Sequence, residues 1–290
     1  MNSIPFTLNS RHGLPLRGDV LSSDAVSTES RDPQATLVVC HGFKGFKEWG
    51  MFPSLGQALA DAGFTVVLFN FSGSGVGDNM VDFTELDRFA EDTISAQVDD
   101  LGDILDALQS GALPAAASAA VGVLGHSRGG ATAIIRAHED QRVRCVVTWA
   151  AVSHLLRWSE REVQAWKERG YMEFLNTRTH QLMRMNYAAV EDLLSNKERF
   201  DVQACVRGLQ VPLLLVHGQE DLSVRLQEGE ELYRAADPSR AQLQVIPQTG
   251  HTFGAVHPWQ GTTPAFEEAV KHSIQWFSTH LGAAPNGRPA

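Results

Sequence analysis

Residues 121–135 read VGVLGHSRGGATAII, an apolar run that is interrupted by one glycine-flanked hydroxyl and then resumes. Gly125, Ser127 and Gly129 form the pattern G-x-S-x-G, with Gly130 directly after it. The residues before the pattern are typical of a buried strand, and those after it of a helix. A serine in a tight strand-to-helix turn projects its hydroxyl above the sheet edge, while the glycines let backbones pass closely. We therefore predict that Ser127 is a nucleophile; on these five residues alone, an ordinary strand–helix loop is the alternative.

A serine hydroxyl needs a base, and the base needs a carboxylate that orients it. Of the 11 histidines, His251 lies in QVIPQTGHTFGA, a loop after the last strand pattern, at the sheet edge where Ser127 is expected. His257 lies further along that loop and is the weaker candidate. Asp221 follows the strand pattern before it, in LLLVHGQEDLSV, with Glu220 as its rival. The predicted catalytic residues are Ser127, Asp221 and His251.

Acyl transfer also requires two N–H groups that face the negative charge developing on the substrate oxygen. The backbone N–H of Arg128 begins the helix after Ser127, and the dipole of a new helix favours an anion at that point. The second N–H is assigned to Phe43 in HGFKGF, the loop after the third strand pattern. The predicted oxyanion hole therefore consists of the backbone N–H groups of Phe43 and Arg128.

Short β-rich segments alternate with helical patterns along most of the chain. ATLVVCHG and FTVVLFNF are apolar almost throughout, as expected for strands that are buried on both faces of a sheet. This alternation predicts an α/β fold with a mostly parallel sheet and helices on both faces. Residues 153–205 interrupt it, because they contain helical patterns but no strong strand pattern. We predict one domain over residues 1–290, with a small cap insertion at about 153–205 and a flexible tail at 282–290.

His41-Gly42-Phe43, the G-x-S-x-G stretch, Asp221 and His251 together resemble the motifs of the α/β-hydrolase fold family, over nearly the whole chain. Within that family, HGFKGFKEWGMFPSLGQALADAGFTVVLFNFSGSGVG is most similar to bacterial serine carboxylesterases of the cinnamoyl/feruloyl esterase and dienelactone hydrolase-like type. The resemblance implies an eight-stranded, mostly parallel sheet, acyl transfer to water through an acyl-serine, and neither a metal nor an organic cofactor. Arg128 departs from the family, which often has glutamine there, and the cap has no specific match to the insert that binds aromatic esters.

Aromatic side chains of the cap and of nearby loops predict a mainly apolar pocket for a small to medium carboxylic ester. The substrate-binding candidates are Phe43, Phe71, His154, Trp158 and Trp166. For any single one of them, packing of the cap onto the sheet is the alternative role. Thioesterase, peptidase or acyltransferase activity with the same triad stays open, as does a non-catalytic ligand-binding protein on this scaffold.

The composition argues against several classes of partner. With 24 basic and 34 acidic residues the formal net charge is −10, which disfavours a nucleic-acid partner. No apolar run approaches the length of a membrane span, and the N-terminus lacks the pattern of a signal peptide. The 3 cysteines have no metal-ligand spacing and favour a reducing compartment. We predict a cytoplasmic protein whose partner is a small-molecule ester, with no nucleic-acid or membrane partner; the composition indicates no oligomeric state.

Overall fold

The computed structural model of the chain describes residues 2–23, 35–79, 82–113, 120–176 and 180–282. The strands in these residues are β1 (Asn2–Asn9), β2 (Pro15–Ser22), β3 (Thr36–Cys40), β4 (Thr65–Asn70), β5 (Val121–His126), β6 (Val143–Trp149), β7 (Tyr171–Asn176), β8 (Gln181–Asn186), β9 (Leu213–Gly218) and β10 (Ala241–Ile246). The helices are α1 (Met51–Asp61), α2 (Leu86–Ala90), α3 (Ile94–Ser110), α4 (Arg128–Glu139), α5 (Glu160–Arg169), α6 (Ala188–Ser195), α7 (Val202–Gly208), α8 (Leu226–Ala235) and α9 (Pro264–Leu281). Among these described helices, none is both long enough and apolar enough to cross a bilayer.

All strands except β7 and β8 belong to one eight-stranded sheet, in the order β1-β2-β4-β3-β5-β6-β9-β10. The pairs β1–β2 and β2–β4 are antiparallel, and the other neighbouring pairs are parallel. The predicted mostly parallel sheet is confirmed. Because the parallel strands point the same way, the loops that follow β3, β5, β9 and β10 meet at one edge of the sheet.

Helices cover both faces of the sheet, as the sequence predicts. The two faces are separated by the alternation of side chains along each strand: in β5, Val123 packs into one core and Leu124 into the other. The first core also contains side chains of α3, α4, α7 and α8, and the second contains side chains of α1 and α9. Full burial of one such side chain contributes about 1.5–3 kcal/mol to stability. The apolar residues by which β5 was predicted therefore also hold this strand between the two helical layers.

The segment between β6 and β9 contains α5, the hairpin β7–β8, α6 and α7. α5 begins with a capping box in which Ser159 and Glu162 bond each other's backbone, and it ends at Gly170, which has φ 81. α7 packs in the first core beside α4, whereas the hairpin and α6 pack into a third apolar cluster around Phe46 and Trp166. Of the tail predicted at 282–290, residues 283–290 lie outside the described residues.

The hairpin β7–β8 was not predicted from the sequence. In β8, Met183 and Met185 are buried, while Leu182 and Arg184, the residues that precede each of them, are exposed. This alternation has the period of a strand with one covered face. β8 contains none of the β-branched or aromatic residues that are enriched in strands, and it is only six residues long, so its pattern is weak beside the neighbouring helical patterns.

Candidate active site

Ser127 is the residue at which β5 ends and α4 begins. Its backbone has φ 56 and ψ −122, a conformation that residues other than glycine rarely adopt. Hydrogen bonds hold it on both sides: Ser127 N–H donates to Trp149 O at 2.8 Å, and Gly130 N–H donates to Ser127 O at 3.0 Å. Such a conformation costs on the order of 1–3 kcal/mol and is found where surrounding contacts enforce it. The backbone at Ser127 therefore forms the tight strand-to-helix turn that the G-x-S-x-G pattern predicts.

The glycines around this turn are required by close backbone contacts. A Cβ on Gly125 would lie 2.2 Å from Gly129 O, and a Cβ on Gly129 would lie 2.3 Å from His41 O. A Cβ on Gly42 would lie 2.9 Å from Ser127 Cβ. The loop after β3 is thus packed directly against the serine, at the position where the sequence placed the second oxyanion donor.

His251 and Asp221 are joined by a hydrogen bond of 2.7 Å between Nδ1 and Oδ2. Because a carboxylate can only accept, Nδ1 carries the proton and Nε2 is left with its lone pair. Asp221 Oδ1 accepts from the N–H groups of Ser223 at 2.8 Å and Val224 at 2.9 Å. The Asp221 side chain is 0% exposed, whereas its rival Glu220 is exposed. The structure therefore gives His251 a fixed, buried carboxylate partner at Asp221.

The surroundings of Asp221 keep its carboxylate ionised. Burial raises the pKa of Asp221, but the hydrogen bonds from His251 and from the two backbone N–H groups outweigh burial, so the pKa lies below its ordinary value. A depressed carboxyl pKa stabilises the fold above the ordinary aspartate pKa of about 3.9, and this contribution is lost as the pH falls through the folded-state pKa. The negative charge that orients His251 is therefore present at neutral pH.

Three further histidines border the site and are neutral at pH 7. Burial lowers the pKa of His126 to about 3 and that of His41 to about 4, and it also lowers the pKa of His217. His126 Nε2 lies 3.0 Å from His251 O, and His217 Nε2 lies 2.8 Å from Val224 O, so each bonds a backbone carbonyl of the loops around the triad. These side chains hold the loops, and His251 is the histidine that lines the same cavity as Ser127.

Ser127 and His251 line one cavity of about 310 Å³, together with Phe43 and Arg128. Asp221 lies behind His251, so the structure brings together all five residues predicted for the triad and the oxyanion hole. The rest of the wall is mainly apolar and includes Ile94, Val152, Leu155, Trp158, Met185 and Leu193. The site is therefore a small, mainly apolar cavity whose wall includes the serine, with the charged residues Lys44, Asp92, Arg128 and Arg157 also in its lining.

The substrate-binding candidates divide into two groups. Phe43 and Trp158 line the cavity. Trp166 does not line it: the ring is 1% exposed, packs edge-on against Trp158 at 4.9 Å, and donates from Nε1 to Met185 O at 3.0 Å. Trp166 therefore supports Trp158 from behind, because the folded cap places it in the third apolar cluster.

Phe71 and His154 also lie away from the cavity. The ring of Phe71 is 1% exposed and packs edge-on against His41 at 4.9 Å in the first core, because residue 71 directly follows β4 and is still covered by the neighbouring layer. The side chain of His154 is 59% exposed and faces Ser153 and Glu231. Proximity to a strand end or to the cap was the only basis for these two candidates, and it does not determine the direction of a side chain.

Neither Asp92 as a wall residue nor its pairing with the side chain of Arg128 was predicted from the sequence. Arg128 Nη2 donates to Asp92 Oδ2 at 2.9 Å, and the guanidinium carbon lies 4.4 Å from the centre of the Phe43 ring. Burial raises the pKa of Asp92 to about 6 and lowers the pKa of Arg128. Asp92 directly precedes Thr93, the N-cap of α3, but a carboxylate there is common at helix starts and points to no particular partner.

Comparisons with known proteins identify the fold and the family. Among solved structures, the alpha/beta hydrolase GrgF from Penicillium sp. sh18 has a TM-score of 0.75 at 15% identity, covering 97% of this chain and 100% of that one. Est1E from Butyrivibrio proteoclasticus, solved with ferulic acid bound, has a TM-score of 0.71 at 14% identity, with 96% and 99% covered. These likenesses confirm the α/β-hydrolase fold inferred from the motifs.

Sequence comparison extends over the same region. An Escherichia coli protein described as an uncharacterized 31.7 kDa protein in the traX-finO intergenic region is 21% identical over 295 aligned positions, covering 89% of this chain and 97% of that protein. Residues 51–284 match the model of the prolyl oligopeptidase family, which is most of the chain and includes the serine, the aspartate and the histidine of the site. The chain therefore belongs to the prolyl oligopeptidase family, and its fold is that of an α/β hydrolase.

Proposed function

We propose that this protein is a serine hydrolase that cleaves small to medium carboxylic esters through an acyl-serine intermediate. The observation that carries the proposal is the 2.7 Å hydrogen bond between His251 Nδ1 and Asp221 Oδ2, behind a cavity that Ser127 also lines. Because this bond occupies Nδ1, His251 Nε2 is the atom that can take a proton from the serine hydroxyl.

In the first half of the reaction, Ser127 Oγ attacks the ester carbonyl carbon while His251 Nε2 accepts the hydroxyl proton. The tetrahedral intermediate carries its negative charge on the former carbonyl oxygen, which the N–H groups of Arg128 and Phe43 would bind. When the intermediate collapses, the bond to the alcohol oxygen breaks and His251 returns its proton to that oxygen. The alcohol leaves, and the acyl group stays on the serine.

In the second half, a water molecule attacks the acyl-serine while His251 Nε2 accepts one of its protons. The second tetrahedral intermediate uses the same two N–H groups. It collapses by breaking the bond to Ser127 Oγ, which takes the proton back from His251, and the carboxylic acid is released. Asp221 stays ionised throughout and stabilises the imidazolium that forms twice in each cycle.

A fluorophosphonate probe followed by peptide mapping tests this proposal directly, because the probe forms a covalent bond only with an activated serine. We expect one labelled serine, Ser127, with no labelling after heat denaturation. A non-catalytic binding protein on this scaffold would give an unlabelled chain. That result would contradict the proposal even if esters bound to the cavity.

The size and polarity of the cavity predict the range of esters. Its volume of about 310 Å³ is at the lower end of the roughly 300–1,000 Å³ typical of small-molecule sites. Each methylene buried in an apolar wall should contribute about 0.8 kcal/mol until the cavity is full. We therefore expect kcat/KM for p-nitrophenyl esters to rise from acetate through short chains and then fall well before palmitate. Highest activity on the longest chain would contradict this prediction.

Peptide cleavage by the same triad is the second candidate, and the match to the prolyl oligopeptidase family favours it. Ester hydrolysis and peptide cleavage are distinguished by measuring hydrolysis rates for p-nitrophenyl esters and p-nitroanilides of the same acyl groups, together with short peptides. We expect the esters to be hydrolysed and the anilides and peptides to be left intact. Because Est1E was solved with ferulic acid bound, aryl esters such as methyl ferulate belong in the same panel. Efficient cleavage of peptides, whatever the rate on activated esters, would assign the protein as a peptidase.

The mechanism above uses side chains and backbone of this chain alone, which predicts independence from metal ions. The sequence offers no ligand spacing such as H-x-x-x-H among its 11 histidines. Dialysis against EDTA should leave ester hydrolysis within experimental error of the untreated protein. A loss that Zn²⁺ or Ca²⁺ restores would contradict this prediction.

A further inference from the structure

We infer that the Arg128 side chain is a positioning residue of the oxyanion hole, which fixes Phe43 and thereby the second N–H donor. The inference rests on the proposed serine-hydrolase function, because it concerns how that hole is held. Arg128 would then act twice. Its backbone N–H is the first donor, and its side chain sets the place of the residue that supplies the second.

The guanidinium of Arg128 is held by two contacts at once. Nη2 donates to Asp92 Oδ2 at 2.9 Å, and the guanidinium carbon lies 4.4 Å from the centre of the Phe43 ring. The side chain is 17% exposed, so it lies largely within the wall of the cavity. A cation over an aromatic face is attracted to the ring more strongly when both are withdrawn from water. Arg128 therefore joins the wall at Asp92 to the loop at Phe43.

Asp92 is a rigid anchor for this contact. Its side chain is 2% exposed, and its Oδ2 also accepts from Gln97 Nε2 at 2.6 Å. A Cβ on Gly73 would lie 2.4 Å from Asp92 Oδ1, so backbone packs directly against the carboxylate. Gln97 lies in the first turn of α3, and the aspartate is therefore tied to the helix as well as to Arg128.

Phe43 lies in a tight turn, so a shift of its ring is transmitted to its backbone. Gly45 N–H donates to Gly42 O at 3.0 Å and closes the turn, and Lys44 has φ 56. The hydrogen bond of the turn does not use Phe43 N–H, which suits a group that must bind substrate. The ring also stacks on Phe89 at 5.6 Å and meets Phe174 edge-on at 5.4 Å, and Lys44 Nζ lies 5.6 Å from its centre. Arg128, at 4.4 Å, is the cation nearer to the ring and the contact that ties it to the cavity wall at Asp92.

Three variants separate the side chain of Arg128 from its backbone N–H. Arg128→Gln removes the cation but leaves the N–H, Arg128→Lys keeps a cation, and the double variant Arg128→Gln/Asp92→Asn avoids a buried carboxylate without its partner. Removal of a whole oxyanion donor costs about 10²–10³ in kcat, and a misplaced donor should cost less. For Arg128→Gln and for the double variant we expect kcat on p-nitrophenyl butyrate to fall about tenfold to a hundredfold with KM changed less than about threefold. Arg128→Lys should recover most of the loss.

A trifluoromethyl ketone provides a readout that a purely structural role would not change. Ser127 Oγ adds to its carbonyl carbon, His251 takes the hydroxyl proton, and the ketone oxygen becomes an oxyanion in the hole. The inhibition constant should rise in Arg128→Gln by the same factor by which kcat falls. The matched control is Arg169→Gln, since Arg169 also lies over an aromatic ring, Tyr171 at 4.2 Å, and pairs with a carboxylate, Glu173 at 2.7 Å, but does so on the exposed cap surface.

The outcomes distinguish this inference from the function on which it rests. If the wild-type protein neither hydrolyses the ester nor labels with the fluorophosphonate, the proposed function is wrong and this inference falls with it. If the wild-type protein is active but Arg128→Gln and the double variant keep kcat and ketone affinity within about twofold, this inference alone is wrong. A loss confined to KM would also overturn it, because the side chain would then bind substrate directly.

Discussion

Replacement of Ser127 by alanine should lower kcat for ester hydrolysis by about 10⁶-fold, the scale seen when the nucleophile of a serine triad is removed. The attacking oxygen is lost, and water positioned in the cavity is a far weaker substitute. The fold should survive, because the contacts that hold the turn are backbone hydrogen bonds at Trp149 O and Gly130 N–H, and the variant keeps both. Thermal unfolding of the variant should therefore match the wild-type protein within a few degrees.

The chain offers a matched control for this experiment. Ser153 Oγ lies 2.6 Å from His154 Nδ1 and 2.8 Å from Glu231 Oε2, so it too belongs to a serine–histidine–carboxylate group. This group does not line the cavity, and Ser153 follows β6 without the positive φ of the elbow. Ser153→Ala should keep its activity and its fluorophosphonate labelling. If Ser127→Ala labels at the wild-type rate, or Ser153→Ala loses labelling, the nucleophile has been assigned to the wrong residue.

The features that the sequence predicts well are those in which one strong local constraint acts. β3, β4 and β5 are buried on both faces, so almost every residue in them is apolar and the pattern is unambiguous. The turn at Ser127 needs glycine at positions 125 and 129 because a Cβ there would meet backbone at 2.2–2.3 Å. Each of these requirements restricts the residue types that can occupy the position, so it is visible in the sequence. The elbow, the order of the strands along the chain and the loops that carry Asp221 and His251 therefore follow from the sequence.

The features that it predicts poorly depend on tertiary packing. Phe71 and Trp166 are aromatic residues near the site, but one packs under His41 and the other behind Trp158. The pairing of Arg128 with Asp92 joins residues 36 positions apart and has no local pattern. The hairpin β7–β8 has one partly exposed face, so the cost of a polar or flexible residue there is small and the strand pattern is correspondingly weak. Direction of a side chain, rather than residue type, decides each of these cases.

Neutralisation of the orienting carboxylate should have the second largest effect. Asp221→Asn keeps the size of the side chain but replaces one oxygen with an NH₂ group, which can no longer accept from His251 Nδ1. The imidazole would then carry its proton on Nε2, the atom that must accept from Ser127, and kcat should fall by about 10⁴-fold. The amide also loses the negative charge that stabilises the imidazolium.

Glu220→Gln is the matched control for this prediction, because it makes the same acid-to-amide change at the neighbouring residue, whose side chain is exposed. We expect kcat of Glu220→Gln to stay within about twofold of the wild-type value, because the charge of an exposed carboxylate is largely screened by solvent. Both variants are to be measured on one ester at several pH values. The order of the two losses decides the assignment: a larger loss in Glu220→Gln would contradict it.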